Sequence, residues 1–382
     1  MRRTRAIFVF LVCVLGAGMA NAVESLQTEQ ISIVSLGDPS PHWLLVNDPN
    51  FLGYMDSKVF LMDADDGSML GMLSTGGYHG SVEMDATFDT IYSPETYYER
   101  VTRGKRTEVI TIYETENLTA TGEIIIPPRR ATGAMHRGYN GLSDDGRFMY
   151  VANMTPAMSV TVVDVETSEF TSEIATAGCM IIFPTGDRTF AMLCGDGSAL
   201  HVRIGDAGQL VSKTRSEVFF DAAADPIAEN SARIGDTWYL VSFSGVVYPL
   251  TNRGGELSAG RSWRLTGDMQ AQSGWRPGGP QFIAGHALSG RLFITMNQDG
   301  PHSHKSAGPE IWVFNAATGK RQARFEAPKH VGRVAVSHDD DPLLVAAGES
   351  PEVFVIDPDD GEVLRIIEGP ILGAGILQFP KL

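Results

Sequence analysis

The sequence predicts an all-β fold, a seven-bladed β-propeller built from four-stranded antiparallel blades. Three observations lead to this prediction. A short apolar segment that ends in a polar turn recurs seven times along the 382 residues. Glycine and proline are abundant, at 41 and 20 residues, as expected for a chain with many tight turns. No stretch keeps a helical periodicity, and no Pro/Ser-rich linker divides the chain.

The repeated segment alternates apolar and polar residues and in three copies closes on an Asp/Asn-x-x-x-Gly turn, in which glycine supplies the positive φ. Such alternation indicates strands with one buried face. The copies start 40 to 65 residues apart, close to the ~50 residues of a four-stranded blade. The seven copies are Val59–Gly67, Glu108–Glu116, Ser159–Thr167, Ala199–Gly208, Val246–Gly254, Ile311–Gly319 and Val353–Gly361.

A second pattern, a turn followed by four or five apolar residues, precedes most copies and gives each unit a further pair of strands. Examples are Asp144–Ala152, Gly186–Leu193, Gly290–Thr295 and Asp340–Ala346. The segment Ile376–Phe379 is expected to close the ring against the N-terminal blade, because closure hides the sheet edges. An open double sandwich is the alternative arrangement.

Residues 1–22 are predicted to be a signal peptide. Arg2, Arg3 and Arg5 form a basic start, an apolar run follows, and Ala20-Asn21-Ala22 provides the small-x-small pattern of a cleavage site. The apolar run is short for a bilayer span, which argues against the alternative of a membrane anchor. We therefore expect a periplasmic mature protein, residues 23–382, that forms a single propeller domain.

Cleavage would remove three positive charges and change the formal net charge from −16 to −19. So acidic a protein repels polyanions, and neither nucleic acid nor an anionic membrane surface is expected as a partner.

Two cysteines, Cys179 and Cys194, remain after cleavage and in an exported chain are expected to pair. They flank the turn 184–187, so two antiparallel strands could bring them side by side. A loop of about 15 residues would contribute roughly 3 kcal/mol in the chain-entropy model. The alternative, a redox-active pair, lacks the C-x-x-C spacing.

Motifs of common enzymes are absent from the sequence: there is no dinucleotide-binding fingerprint, P-loop or G-x-S-x-G elbow. His302 and His304 resemble a metal pair but have no third ligand nearby, and a solvated loop explains them better. Arg103–Arg106 could bind an anion, although ion pairing within the loop is the simpler interpretation. The Asp-rich segments at 63–66 and 339–341 are explained by turn chemistry rather than by Ca²⁺. The isolated His79, His136 and His286 are interpreted as hydrogen-bonding residues.

Several segments spread over residues 45–380 give the chain a resemblance to one family. They are Tyr98–Thr107, Ile126–Arg129, Thr155–Ala157, Val163–Val165, Ala177–Cys179, Cys194–Gly197, Trp275–Gly279, Asp299–Gly300, His304–Lys305 and Glu310–Val313. In this order they resemble the heavy subunit of the tryptophan-tryptophylquinone amine dehydrogenases, closer to the aromatic amine type than to the methylamine type.

The resemblance implies a seven-bladed propeller that carries no catalytic residue, cofactor or metal of its own. It implies a complex of two heavy and two small, cysteine-rich light chains, in which the light chain holds the tryptophan tryptophylquinone. A primary amine would be oxidised to aldehyde and ammonia, and a blue-copper protein of the azurin or amicyanin type would accept the electrons.

One heavy-chain position in this family lines the substrate channel, an aromatic residue after a Gly-Met-x-x-Thr segment. Here Gly71–Thr75 matches that segment, and Tyr78 is the corresponding aromatic residue, where the family more often has Phe. An ordinary rim aromatic is the alternative interpretation of Tyr78.

Two other functions remain open at this stage. One is a propeller enzyme in its own right, such as a lactonase, which would need acidic or histidine side chains and a metal at the central channel. The other is a binding propeller without redox function.

Overall fold

The computed structural model describes residues 35–50, 56–77, 81–133, 135–267 and 274–382. The proposed signal peptide and its cleavage site lie outside these residues. Within the described part no helix is long and apolar enough to cross a bilayer. A short 3-10 turn lies at Arg137–Tyr139.

Seven antiparallel sheets make up the fold, and the strands run in sequence order from the channel outwards in each blade. The first blade combines both parts of the chain: β30 (Ile376–Gln378), β1 (Trp43–Asp48), β2 (Asp56–Asp63) and β3 (Met69–Gly76). The second and third blades are β4 (Glu83–Met84), β5 (Thr90–Arg100), β6 (Arg103–Glu114), β7 (Thr119–Ile126), then β8 (Asn140–Leu142), β9 (Phe148–Asn153), β10 (Ser159–Asp164) and β11 (Glu169–Ala175).

The fourth and seventh blades also have four strands, whereas the fifth and sixth each carry one additional short strand. The fourth is β12 (Cys179–Gly186), β13 (Thr189–Cys194), β14 (Ala199–Ile204) and β15 (Leu210–Arg215). The fifth is β16 (Ile227–Ile234), β17 (Thr237–Ser242), β18 (Val246–Arg253), β19 (Glu256–Ala259) and β20 (Trp263–Arg264). The sixth is β21 (Arg276–Pro277), β22 (Ile283–His286), β23 (Arg291–Asn297), β24 (Gly308–Asn315) and β25 (Arg321–Val331), and the seventh is β26 (Arg333–Val336), β27 (Leu344–Ala347), β28 (Val353–Ile356) and β29 (Val363–Ile367).

The predicted seven-bladed propeller is confirmed. Each of the seven repeat copies falls on the third strand of one blade, and the segments of the second pattern fall on second strands. The predicted closure is also present, because β30 pairs with β1 in the register Leu45↔Gln378 and Asn47↔Ile376.

The interpretation of one buried face per strand was wrong for the inner half of each blade. Strand β9, for example, is buried along its whole length. Phe148 and Tyr150 pack against the fourth blade, whereas Met149 and Val151 pack against the second. Each blade lies between two neighbours, so both of its faces are covered, and seven apolar clusters fill the seven spaces between adjacent blades.

Buried side-chain amides connect the inner strands of successive blades. Asn140 donates to the backbone oxygen of Ser81 at 2.7 Å, and Gln378 donates to that of Val82 at 2.9 Å. Gln281 donates to Leu377 of the first blade at 2.8 Å and to Val334 of the seventh at 3.1 Å. These bonds satisfy backbone groups that the short inner strands leave unpaired, and they fix the inner wall of the channel.

Candidate functional site

The strand connections divide the propeller into two ends. At the end that we call the disulfide end lie the links from each outer strand to the next inner strand and the turns between second and third strands. These connections, as far as they are described, are 49–50, 77, 81–82, 101–102, 127–133, 135–139, 154–158, 176–178, 195–198, 216–226, 243–245, 260–262, 265–267, 274–275, 298–307, 332, 348–352 and 368–375. The opposite end, which we call the aspartate end, carries the remaining turns.

Most segments that resemble the amine dehydrogenase family lie at the disulfide end. The hairpin tip within Tyr98–Thr107 projects there, as do Ile126–Arg129 and Thr155–Ala157. The two cysteine segments, Asp299–Gly300 and His304–Lys305 belong to the same end. Val163–Val165 is an exception at the aspartate end, and Glu310–Val313 lies within β24.

Cys179 and Cys194 form the predicted disulfide. They are directly opposite each other in β12 and β13, and the bond closes a separation of 15 residues. Both residues are buried in the cluster between the third and fourth blades. The bond therefore ties the start of β12 to the end of β13 at the disulfide end.

Tyr78 and His79 lie outside the described residues, so the channel assignment of Tyr78 stays a prediction. The residues on either side can be placed: Gly76 ends β3, and Ser81 is buried beside the inner strand of the second blade. Sequence reasoning missed a second aromatic residue here. The Tyr97 ring lies so close to Gly76 that a Cβ on the glycine would meet it at 2.9 Å, and 41% of Tyr97 is exposed.

Tyr97 belongs to a hydroxyl cluster around the fully buried carboxylate of Glu95. That carboxylate accepts hydrogen bonds from the hydroxyls of Tyr97, Thr111 (2.9 Å) and Tyr113 (3.2 Å). Burial, followed by the Glu95 charge, raises the pKa of both tyrosines. The phenols therefore stay protonated and serve as donors, which is how a buried carboxylate is stabilised without a paired cation.

A second buried carboxylate, Glu108, holds the link that leads out of the second blade. It accepts the backbone N–H groups of Arg129 at 2.7 Å and Arg130 at 2.8 Å, and it pairs with Arg106. Arg129 in turn pairs with Glu173 of the third blade at 2.7 Å. Ion pairing within 103–106, the simpler interpretation of that basic segment, is thus confirmed for Arg106.

A histidine and lysine cluster lies where three connections meet near the channel. His136 Nδ1 is 3.6 Å from Glu229, which also pairs with Lys305. Burial, together with Lys305, lowers the pKa of His136 to about 4. His304 stacks on Phe243 with ring centroids 3.6 Å apart, and burial lowers its pKa as well.

The other histidine and aspartate interpretations can also be checked. His286 is a hydrogen-bonding residue, with Ser289 at 2.8 Å and the Asp339 backbone oxygen at 2.9 Å. Asp63 accepts the Asp65 N–H at 2.8 Å in its own turn, in agreement with the turn interpretation. No group of three or more potential metal ligands occurs among the residues that the structure describes.

Exposed large apolar side chains are found mainly on the outer strands of the blades, among them Ile125 on β7. Four others lie in connections of the disulfide end: Val101, Met154, Val218 and Leu372 are between 45% and 66% exposed. Val101 has a φ of +61°, a conformation that is costly for a β-branched residue and that Asn or Gly would adopt more easily. Exposed apolar residues at this end are available for contact with a protein partner.

Comparisons with known proteins identify the family of the chain. The family model described as "Methylamine dehydrogenase heavy chain (MADH)" matches residues 42–376. Among curated relatives, the methylamine dehydrogenase heavy chain of Methylophilus methylotrophus is 28% identical over 349 residues, covering 90% of this chain and 84% of that protein. The heavy chain of Paracoccus versutus is 29% identical over 357 residues, covering 90% of this chain and 80% of that protein.

Solved structures show the same fold at lower identity. A putative 6-phosphogluconolactonase from Bacteroides fragilis has a TM-score of 0.59 at 12% identity, covering 90% of this chain and 99% of that chain. Dihydro-heme d1 dehydrogenase NirN has a TM-score of 0.54 at 15% identity, covering 89% and 66%. These two likenesses concern the fold alone. The family match extends over nearly the whole chain, and the protein therefore belongs to the methylamine dehydrogenase heavy-chain family.

Proposed function

We propose that this chain is the heavy subunit of a periplasmic amine dehydrogenase and that its disulfide end receives the light subunit. The observation that carries the proposal is that several features of the chain share one location. Most of the segments shared with the family, the disulfide, two buried carboxylate networks and four exposed apolar residues occur at one end of the propeller. An apolar patch on a rigid, polar-rimmed surface is the common form of a stable protein interface.

The role of the chain would be to orient the light subunit and to form part of the wall of the substrate channel. The redox chemistry would be supplied by a tryptophan tryptophylquinone on the light subunit, in a complex of two heavy and two light chains. Tyr78, between the first and second blades, would contact the apolar part of the amine. Its phenol would add a polar group to the channel wall, which suits aromatic primary amines. A blue-copper protein of the azurin or amicyanin type would accept the electrons.

Purification of the tagged chain from the cells that produce it tests the proposal. We expect an equimolar small chain that absorbs as a quinone, and amine-dependent dye reduction only when that chain is present. The aromatic preference would appear as a higher kcat/KM for 2-phenylethylamine than for methylamine. N-terminal sequencing of the mature protein should begin at Val23 or within a residue or two. Dye reduction by the heavy chain alone would contradict the proposal.

A pair of matched variants locates the interface. Val101 lies in the turn between β5 and β6 of the second blade, and Leu372 lies in the link that leads into β30 of the first blade. Each residue is 62% exposed. The double variant Val101→Asp/Leu372→Asp should weaken light-subunit binding by at least about tenfold, because charges would be buried in an apolar contact. Leu288→Asp is the control, since Leu288 is 63% exposed at the aspartate end. Equal loss of binding in both would contradict docking at the disulfide end.

A further inference from the structure

A histidine joins the first and seventh blades at the aspartate end, where the ring closes. His42 lies just before β1, and its side chain is only 12% exposed. Its backbone is fixed within the first blade, because its N–H donates to the Ser40 hydroxyl oxygen at 3.1 Å and its carbonyl oxygen accepts the Ala64 N–H at 3.0 Å. The ring nevertheless reaches Asp339 of the seventh blade, 297 residues further along the chain.

Both ring nitrogens of His42 face oxygen acceptors. Nδ1 lies 2.8 Å from the Asp65 carboxylate, in the turn between β2 and β3. Nε2 lies 3.2 Å from the Asp339 carboxylate and 3.1 Å from the backbone oxygen of Asp341, both in the turn between β26 and β27. A neutral imidazole has a single N–H, so it would satisfy one side and turn a lone pair towards oxygen on the other. Only the imidazolium, with two N–H donors, fits this geometry.

Asp339 is held as a carboxylate by its own turn. Its Oδ1 accepts the Ser337 hydroxyl at 2.7 Å, and its Oδ2 accepts the Asp341 N–H at 3.2 Å. Burial opposes the charge, but the Ser337 hydrogen bond and the charge of His42 outweigh it and lower the pKa of Asp339. Asp339 therefore has no proton to donate, and the second N–H must come from His42.

The charges around His42 favour the same protonation state. Burial works against the imidazolium, but the hydrogen bond and charge of Asp65, followed by the charge of Asp339, outweigh it and raise the pKa of His42. Two further charged groups belong to these surroundings. Asp63 accepts the Asp65 N–H at 2.8 Å, and Arg365 of β29 donates to a backbone oxygen of the same turn.

A second histidine holds the same turn of the seventh blade without needing a charge. His286 Nε2 lies 2.9 Å from the Asp339 backbone oxygen, and Nδ1 lies 2.8 Å from the Ser289 hydroxyl. The Ser289 oxygen also accepts Arg291 Nε at 3.0 Å, so its own proton is free for His286. A neutral ring with its proton on Nε2 satisfies both contacts. The turn 337–343 is thus tied to the sixth blade by a neutral contact and to the first blade by a charged one.

We propose that His42 is a pH-dependent latch, whose protonated ring ties the turn 337–343 of the seventh blade to the first blade and whose deprotonation releases that turn. On loss of one proton the remaining N–H stays with Asp65, the nearer acceptor, and Nε2 presents a lone pair to Asp339. The folded chain keeps the proton to a higher pH than the unfolded chain, whose histidines titrate near pH 6.5. The contact is therefore fully present below about pH 6.5 and is lost as the pH rises through the folded pKa.

NMR titration of the mature protein, carrying isotope-labelled histidine, tests the latch. We expect one ring with a pKa above about 6.5 that disappears in His42→Gln. Asp65→Asn keeps the size of the side chain and removes its charge, so it should lower that pKa. Hydrogen exchange of peptides that cover 337–343 gives the second measurement. Across the His42 titration, protection factors should fall about two- to fivefold in the parent chain, the range for a partly exposed ion pair, and stay constant in His42→Gln.

His286→Gln is the matched control, because it removes the neutral contact of the same turn. It should weaken protection equally at every pH and leave the titration of His42 in place. The latch is overturned by a His42 pKa at or below about 6.5, or by the same pH dependence of protection in the parent chain and His42→Gln. Loss of that pH dependence in His286→Gln would also overturn it. Val101→Asp/Leu372→Asp should retain the latch, so failure of the docking proposal and failure of this one are distinguishable.

Discussion

The two ends of the propeller differ in what their turns are made of. At the aspartate end, turn aspartates accept backbone N–H groups of their own turns, as Asp164 does from Glu166 at 3.1 Å and Asp357 from Asp359 at 2.7 Å. At the disulfide end, some turns follow the same pattern, as Asp221 accepts the Ala223 N–H at 2.9 Å, but the connections there also include buried carboxylate networks, a disulfide and exposed apolar side chains. Self-contained turns suffice to build a blade, whereas rigid connections with an apolar surface are what an interface requires.

Removal of the disulfide should have the largest effect on the free energy of unfolding, and its structural effect should be confined to the disulfide end. Cys179→Ala/Cys194→Ala is expected to lower the free energy of unfolding by about 3 kcal/mol, because the unfolded chain regains the freedom of a 15-residue loop. Denaturant unfolding measures this loss, and thiol labelling of the unreduced parent chain should find no free cysteine.

The same double variant sharpens the comparison between the ends. Light-subunit binding should weaken as well, since the bond lies at the disulfide end. Unchanged binding would contradict docking at that end.

Two buried histidines, one near each end, predict a common response to acid. The pKa of His136 and that of His338 are both lowered to about 4. The unfolded chain takes up these protons near pH 6.5 and the folded chain only near pH 4, so stability falls as the pH drops through this window. Each histidine accounts for at most about 3 kcal/mol of that loss, at about 1.4 kcal/mol per pKa unit.

Single variants separate the two contributions. His136→Gln and His338→Gln should each make the melting temperature fall less steeply between pH 6.5 and 4. Parallel curves for the parent and both variants would show that carboxylates, not these histidines, govern the acid response.

The repeat pattern was sufficient to predict the blades, since seven alternating segments fell on the seven third strands. It could not reveal the short inner strands: β4 is two residues long and carries no periodicity. The axial cavity of about 280 Å³ was missed for a related reason. Its lining residues Glu83, Arg137 and Lys381 are far apart in sequence, and only closure of the ring brings them together. The disulfide was predictable because its two cysteines flank a local hairpin.

Tyr78→Ala tests the substrate-channel prediction at the disulfide end. If the ring contacts the apolar part of the amine, the kcat/KM ratio of 2-phenylethylamine to methylamine should change by about 10- to 200-fold, or roughly 1–3 kcal/mol. Assembly should survive, because one rim side chain is a small part of the interface. A ratio within about twofold of the parent value, with the complex intact, would identify Tyr78 as an ordinary rim aromatic.

Tyr97→Phe should have the smallest effect, confined to the disulfide end. The variant keeps the ring against Gly76 and removes one of the three hydroxyls that Glu95 accepts. Loss of one hydrogen bond to a charged group typically lowers the free energy of unfolding by about 1.5–3 kcal/mol. Tyr97 is 41% exposed, so water can replace its hydroxyl, and a loss of about 1 kcal/mol is expected.

Tyr113→Phe is the matched comparison. That phenol is buried and also donates to the Ser74 backbone oxygen at 3.1 Å, so its removal should cost more. Urea unfolding of both variants measures the difference. If Tyr97→Phe lowers the free energy of unfolding as much as Tyr113→Phe does, water does not reach Glu95. The hydroxyl network would then be closed to solvent even without the light subunit.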